Sequence, residues 1–243
     1  MRLREIFTRF VRSEFDAPQR SFAAVLLAIL VAMTFELAAP DEDWARLVTV
    51  LLQGVVVLTA LSAAGADERI VHPAIVGVLI AIGLATAGLV SLGDIGPAIP
   101  KLVSLLLVVI APVAIVIGLV REFRADKRVT LQTVLAGLSI YLLLGMAYAF
   151  LYGFSQDVSD EPFFAGGVVG DQNDFLYFSL ATLTTTGYGD FTAAFEIGRT
   201  FAVLEALTGQ IYLVTVVALL VSNLRREPAP GSAPPPADPY RRT

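Results

Sequence analysis

Long apolar blocks separated by short charged segments restrict what this chain can fold into more than any other feature. An α-helix needs about 20 apolar residues to cross the ~30 Å hydrocarbon core of a bilayer. Blocks at residues 21–39, 44–64, 71–92, 102–120, 129–152 and 197–223 meet that length. Composition agrees, with 56% of residues hydrophobic and 16% charged, whereas a soluble domain is nearer a quarter charged. The chain is therefore expected to be an all-α integral membrane protein with six transmembrane helices. That reading excludes a nucleic-acid-binding domain and disfavours a soluble enzyme. The absence of cysteine removes disulfides, thiolate metal sites and cysteine nucleophiles. His72 is the single histidine; it is either an interfacial surface residue or a group titrating near neutral pH.

The positive-inside rule sets the orientation. With the N-terminus cytoplasmic, all but Arg46, Lys101 and Arg199 of the 17 basic residues fall on the inner side. The outer loops then hold Asp41, Glu42, Asp43, Asp94, Asp157, Asp160, Glu161, Asp171, Asp174, Asp190 and Glu196. Both termini are expected to be cytoplasmic, in a multi-pass cell-membrane protein. A cleaved signal peptide is the rival reading of the first block, because basic residues precede it and Ala38-Ala39 could precede cleavage. Pro40, Pro73 and Pro100 are placed near helix starts, and Pro112 inside the fourth span is expected to kink it. The expected organisation is a cytoplasmic segment (1–20), a four-helix transmembrane region (21–128), a carboxy-terminal two-helix region (129–223) and a Pro- and Ala-rich disordered tail (224–243). No internal repeat is evident, which disfavours a transporter built from two related halves.

Between the last two spans, residues 174–184 (Asp-Phe-Leu-Tyr-Phe-Ser-Leu-Ala-Thr-Leu-Thr) are apolar but too short to cross. They suit a half-length helix that enters from outside, with Asp174 near its N-terminus and its partially negative C-terminus toward the membrane centre. Non-helical backbone at that depth must be buried in protein or line a wet cavity. Thr185-Thr186-Gly187-Tyr188-Gly189 suits such a return. Glycines at alternate positions permit successive carbonyls to point one way, Tyr188 can pack outward on the short helix, and the Thr185 hydroxyl can complete the innermost ring of oxygens.

Thr185-Thr186-Gly187-Tyr188-Gly189-Asp190 resembles the selectivity filter of the potassium channel family, and the short aromatic helix before it and the full spans on either side extend the resemblance. The resemblance implies K⁺ coordinated at Thr185, Thr186, Gly187 and Tyr188, with Gly189 completing the strand and Asp190 at its mouth. It implies pore-helix support from Tyr177, Phe178 and Thr184, with Tyr177 and Phe178 in the aromatic cuff that holds the filter strands apart. Ala181 stands where some members carry an acid behind the filter, so that hydrogen bond is absent. Gly198-Arg199 follows at the spacing of simple two-span pores. Gly209 matches the inner-helix glycine proposed as a gating hinge, or else marks a close helix–helix contact. A ring needs four strands and one chain supplies one loop, so the resemblance implies a homotetramer.

Six-span members often sense voltage through basic residues repeated along the fourth span. Here residues 102–120 carry no charge, so an arginine sensor is not expected. The first four spans are then a scaffold, a lipid-facing collar or a sensor-like domain without gating charges. Glu36, near the outer end of the first span, is expected to reach the interface. Glu205, deep in the last span, is expected either to hydrogen-bond to the pore helix or to tune cation concentration near the filter. Gln210, Leu213, Val214 and Val217 recur at helical spacing and either line an inner cavity or pack helices. The basic run at 121–128 either touches anionic lipid headgroups or fixes topology.

The function expected from this sequence is a K⁺-selective channel in the cell membrane. It would have K⁺ and lipids as partners, no nucleic acid, no cofactor beyond bound K⁺ and no enzymatic activity. The alternatives are a non-selective cation channel of the same fold and a non-conducting membrane scaffold or partner subunit.

Overall fold

The computed structural model describes residues 21–66, 68–91, 98–125, 130–159 and 161–224. The expected cytoplasmic segment (1–20), the tail from 225 onward, and Lys127 and Arg128 of the basic run lie outside the described residues. The described residues form helices α1 (Phe22–Ala38), α2 (Asp43–Ala63), α3 (Glu68–Ser91), α4 (Ala98–Ala125), α5 (Leu131–Asp157), α6 (Gln172–Leu183) and α7 (Glu196–Leu224), with a short 3-10 turn at Ala165–Gly167. Four helical stretches, Asp43–Ala63, Arg69–Gly88, Ala98–Arg121 and Leu131–Asp157, are long and apolar enough to cross a membrane by length and composition. α1 has 17 residues, about 25 Å at 1.5 Å per residue, and α7 has 29.

Local chemistry marks the helix ends. α1 stops at Ala39, whose N–H donates to the Phe35 carbonyl, and Pro40 follows. α2 opens on acids, with Asp43 in its first turn where the helix dipole favours negative charge. α5 and α6 both begin in capping boxes. Thr130 Oγ1 accepts from the Thr133 N–H, and Asp171 Oδ1 accepts from the Asp174 N–H at 2.9 Å. Pro73 departs from expectation, because α3 starts at Glu68 and carries this proline inside the helix. α4 runs on through Pro112. Lys101, assigned by charge to an outer loop, lies in the first turn of α4 and is 7% exposed.

α4 packs on α2, α3 and α5, while α1 packs on α2, α5 and α6. α7 touches α5 and α6. Small side chains permit close helix approach where lipid offers no hydrophobic drive toward association; Ala60, Ala111, Ala136 and Ala149 are fully buried. The core around α6 is instead aromatic. Phe163 sits at ring-centroid distances of 5.0 Å from Tyr152, 5.1 Å from Phe164 and 5.5 Å from Phe175. Such pairs are each worth ~0.5–1.5 kcal/mol beyond area burial. This cluster clamps the loop before α6 onto α5 and so sets the position of the short helix.

Candidate functional site

The short helix α6 is held at both ends. At its N-terminus, Gln172 Nε2 donates to Glu36 Oε1 at 2.7 Å and Asn173 Nδ2 donates to the Leu37 carbonyl at 2.8 Å. Glu36 is 3% exposed. It does not reach an interface as expected, because α6 covers it. Gln156 of α5 fastens the preceding loop by donating from Nε2 to the Gly170 carbonyl and accepting from the Gly170 and Phe163 N–H groups. Lys101 of α4 bridges to Asp157 at the end of α5 at 2.9 Å and lies over the Phe175 ring of α6. None of these ties was expected. Polar residues at the outer ends of apolar blocks were the available signal, but their partners are remote in sequence.

At the other end, the Tyr141 hydroxyl of α5 donates to the Leu183 carbonyl at 3.1 Å, satisfying one of the acceptors a helix C-terminus leaves open. Thr184 caps the helix, with Oγ1 donating to the Leu180 carbonyl and lying 2.9 Å from Thr186 Oγ1. The chain then turns sharply. Thr185, Gly187 and Gly189 have φ of 57°, 55° and 81°. Alternate residues thus occupy the left-handed region, which Gly187 and Gly189 enter freely and Thr185 enters against its side chain. The Thr186 and Gly187 N–H groups donate to the Ala181 carbonyl at 2.9 and 3.1 Å, anchoring the run to the end of α6. Residues 184–190 are exposed on the single chain.

Tyr177 and Tyr188 stack with centroids 6.2 Å apart and planes 9° from parallel. The Tyr177 hydroxyl donates to Asp190 Oδ2 at 2.7 Å, and the Phe191 N–H donates to Oδ1 at 3.0 Å. The phenol holds the Asp190 carboxyl below its ordinary pKa. Tyr177 therefore ties both Tyr188 and Asp190 to α6 within one chain. Phe178, grouped with it by sequence, instead lies in the aromatic core, 5.2 Å from Tyr152 and 5.5 Å from Phe164. Past the run, Ala165 N–H donates to the Thr192 carbonyl and Ala194 N–H to the Phe163 carbonyl, each at 2.8 Å, and Arg199 Nε donates to the Ala193 carbonyl.

α7 lies against the back of this assembly. Glu205 is fully buried, accepts the Tyr152 hydroxyl of α5 at 2.6 Å and meets Ser179 Oγ of α6. Of its two expected roles, the hydrogen bond to the short helix is present. Gly209 is buried against the end of α6, where an added Cβ would lie 2.2 Å from the Leu183 carbonyl oxygen. Its close-contact reading is thus present in the structure. Gln210, Leu213 and Val214 are exposed on the single chain. Val217 lies on α7, but its side chain is outside the described residues.

The run therefore carries backbone carbonyls and threonine hydroxyls, which are neutral oxygen donors, on residues exposed at the end of α6. They are presented on the chain surface by a short helix braced from three sides.

Residues 136–226 match the family model described as "Ion channel". The chain is also similar to "Probable potassium channel protein 2" of Methanocaldococcus jannaschii, with 38% identity over 88 residues, covering 35% of this chain and 22% of that protein. No solved structure matches the chain.

Proposed function

We propose that the chain is a member of the potassium channel family and forms a homotetrameric, K⁺-selective channel without an arginine voltage sensor, a reading supported by its similarity over residues 136–226 to the ion-channel family model and to the archaeal relative. The observation that carries this reading is the Thr185-Thr186-Gly187-Tyr188-Gly189 run, held in alternating left-handed backbone at the end of a braced half-length helix. Four copies around an axis would turn this exposed run inward. Carbonyls of Thr185, Thr186, Gly187 and Tyr188, with the Thr185 hydroxyl, then replace the water shell of K⁺. Gly189 completes the strand, and Asp190 with the acidic outer loops gathers cations at the mouth. The C-terminus of α6 adds partial negative charge toward the cavity.

Tetramerisation would cover the apolar face that α7 leaves open, where Val203, Leu207, Ile211 and Val214 are each more than half exposed. On this reading α1 to α4 and the two helices flanking the loop are the six spans, in a cell membrane with both termini cytoplasmic. Residues 102–120 carry no charge to move in the field.

Purified protein in liposomes tests the proposal. A reversal potential that follows the K⁺ gradient against Na⁺, with Ba²⁺-sensitive flux, is the expected result. A reversal potential indifferent to K⁺ versus Na⁺ would make it a non-selective cation channel. Absence of flux under varied pH and lipid would make it a scaffold.

A further inference from the structure

Tyr152, Ser179 and Glu205 join α5, α6 and α7 at a buried point behind the short helix. The oxygens form a chain. Tyr152 Oη lies 2.6 Å from Glu205 Oε2, Glu205 Oε1 lies 2.5 Å from Ser179 Oγ, and Ser179 Oγ lies 2.6 Å from the Gly145 carbonyl. Oxygens this close each need a hydrogen between them. Two lone pairs facing one another at a buried point would be repulsive and unsatisfied.

The hydroxyls of Tyr152 and Ser179 hold one proton each, and the Gly145 carbonyl holds none. The Tyr152 proton serves Glu205 Oε2. The Ser179 proton serves the Gly145 carbonyl or Glu205 Oε1, but not both at these separations. One contact remains without a proton. No basic side chain pairs with Glu205 among the described residues. The titratable groups facing it are Tyr152 and, further along α5, Tyr141; α6 faces it with Ser179.

We propose that Glu205 carries the missing proton: it is a neutral carboxylic acid that donates from Oε1 to Ser179 Oγ, while Ser179 donates to Gly145 and Tyr152 donates to Oε2. Every oxygen in the chain is then satisfied. Glu205 touches neither the filter run nor the ion path, so it is a positioning residue that pins α6 between α5 and α7. Removing its proton to an alkaline bath leaves a buried charge. It also forces Ser179 to choose between Glu205 and Gly145, loosening the helix that carries the filter. The channel reading bears only on the flux consequence; the protonation state stands apart from it.

The test uses the full-length tetramer in lipid. Infrared spectra at neutral pH should show a protonated-carboxyl carbonyl band in the wild type that is missing from Glu205→Gln. An amide reproduces the neutral acid, since its N–H can donate to Ser179 and its oxygen can accept from Tyr152. Glu205→Gln should therefore assemble and pass K⁺ like the wild type at neutral pH. Wild-type flux should fall reversibly in alkaline baths while that of Glu205→Gln stays flat. Glu205→Leu, which strands Tyr152 and Ser179, should lose thermal stability.

Identical carboxyl bands in the wild type and Glu205→Gln, or a Glu205→Gln variant that fails to assemble, would overturn the proposal. Because misassembly would blur the first comparison, Glu36→Gln supplies a second background in which Glu205 is the remaining buried acid among the described residues. Its carboxyl band must vanish as the bath is made alkaline. A band that never appears there refutes the proton on Glu205. Absence of flux in every variant, with the band present, would sink the channel reading and leave the protonation assignment standing.

Discussion

Replacing Gly209 by alanine separates a packing contact from a hinge by the sign of its effect. In an unobstructed helix, Gly→Ala stabilises by about 0.8–1.0 kcal/mol. Here the new Cβ would lie 2.2 Å from the Leu183 carbonyl oxygen and 3.0 Å from Leu183 Cδ1, and the nearer obstacle is backbone. α7 and the end of α6 must part by about 0.8 Å to reach even the 3.0 Å floor of real Cβ contacts. Overpacking of this kind costs ~1–3 kcal/mol. The displaced carbonyl is also the acceptor for Tyr141, and weakening that bond adds up to about 1 kcal/mol.

After the helix-propensity gain is subtracted, the net loss is about 0–3 kcal/mol per chain. That corresponds to ~2–4 °C in melting temperature per kcal/mol for a chain of this size. Thermal unfolding of the purified protein, followed by gel filtration beside K⁺ flux in liposomes, measures both consequences. The expected outcome is a lower melting temperature with reduced flux. A Gly209→Ala protein that melts above the wild-type temperature would refute the packing argument. Altered open probability with unchanged melting would assign Gly209 to the hinge.

Two further predictions concern the surroundings of α6, and a third the uncharged stretch 102–120. Lys101 and Asp157 form a bridge with side-chain exposures of 8% and 15%, so Lys101→Met should cost up to ~3–5 kcal/mol by leaving Asp157 buried and unpaired; Lys101→Met with Asp157→Leu should recover most of it, as thermal unfolding can show. Tyr177→Phe keeps the stack on Tyr188 but removes the donor to Asp190; the Asp190 pKa should rise toward the ordinary carboxyl value, and K⁺ current should decline faster during sustained opening, whereas unchanged currents would leave the bond without a functional role. Voltage steps on reconstituted channels should produce no steep sensor-type activation, because 102–120 lacks the charges that would each contribute about 2.3 kcal/mol per 100 mV.

Sequence alone was sufficient for features written in neighbouring residues. Apolar blocks of membrane length become helices because hydrocarbon leaves a backbone no other partner than itself. The run from Asp174 to Asp190 carries its own instructions: a short aromatic helix, then glycines at alternate positions that accept left-handed backbone. These are local preferences, and they survive in any tertiary setting that can house them.

The partners came only with the fold. Glu36 meets Gln172 across 136 positions, and Lys101 meets Asp157 across 56. Glu205 finds Tyr152 and Ser179 on two other helices. Periodicity could not reveal these meetings. In a membrane helix, the face turned to lipid is as apolar as the face turned to protein, so hydrophobicity no longer marks the inside. Adjacent leucines show the point, with Leu106 57% exposed and Leu107 6% exposed. Which of two like residues is buried, and which buried acid finds a hydroxyl, depends on how helices pack around the short one, and that is decided in three dimensions.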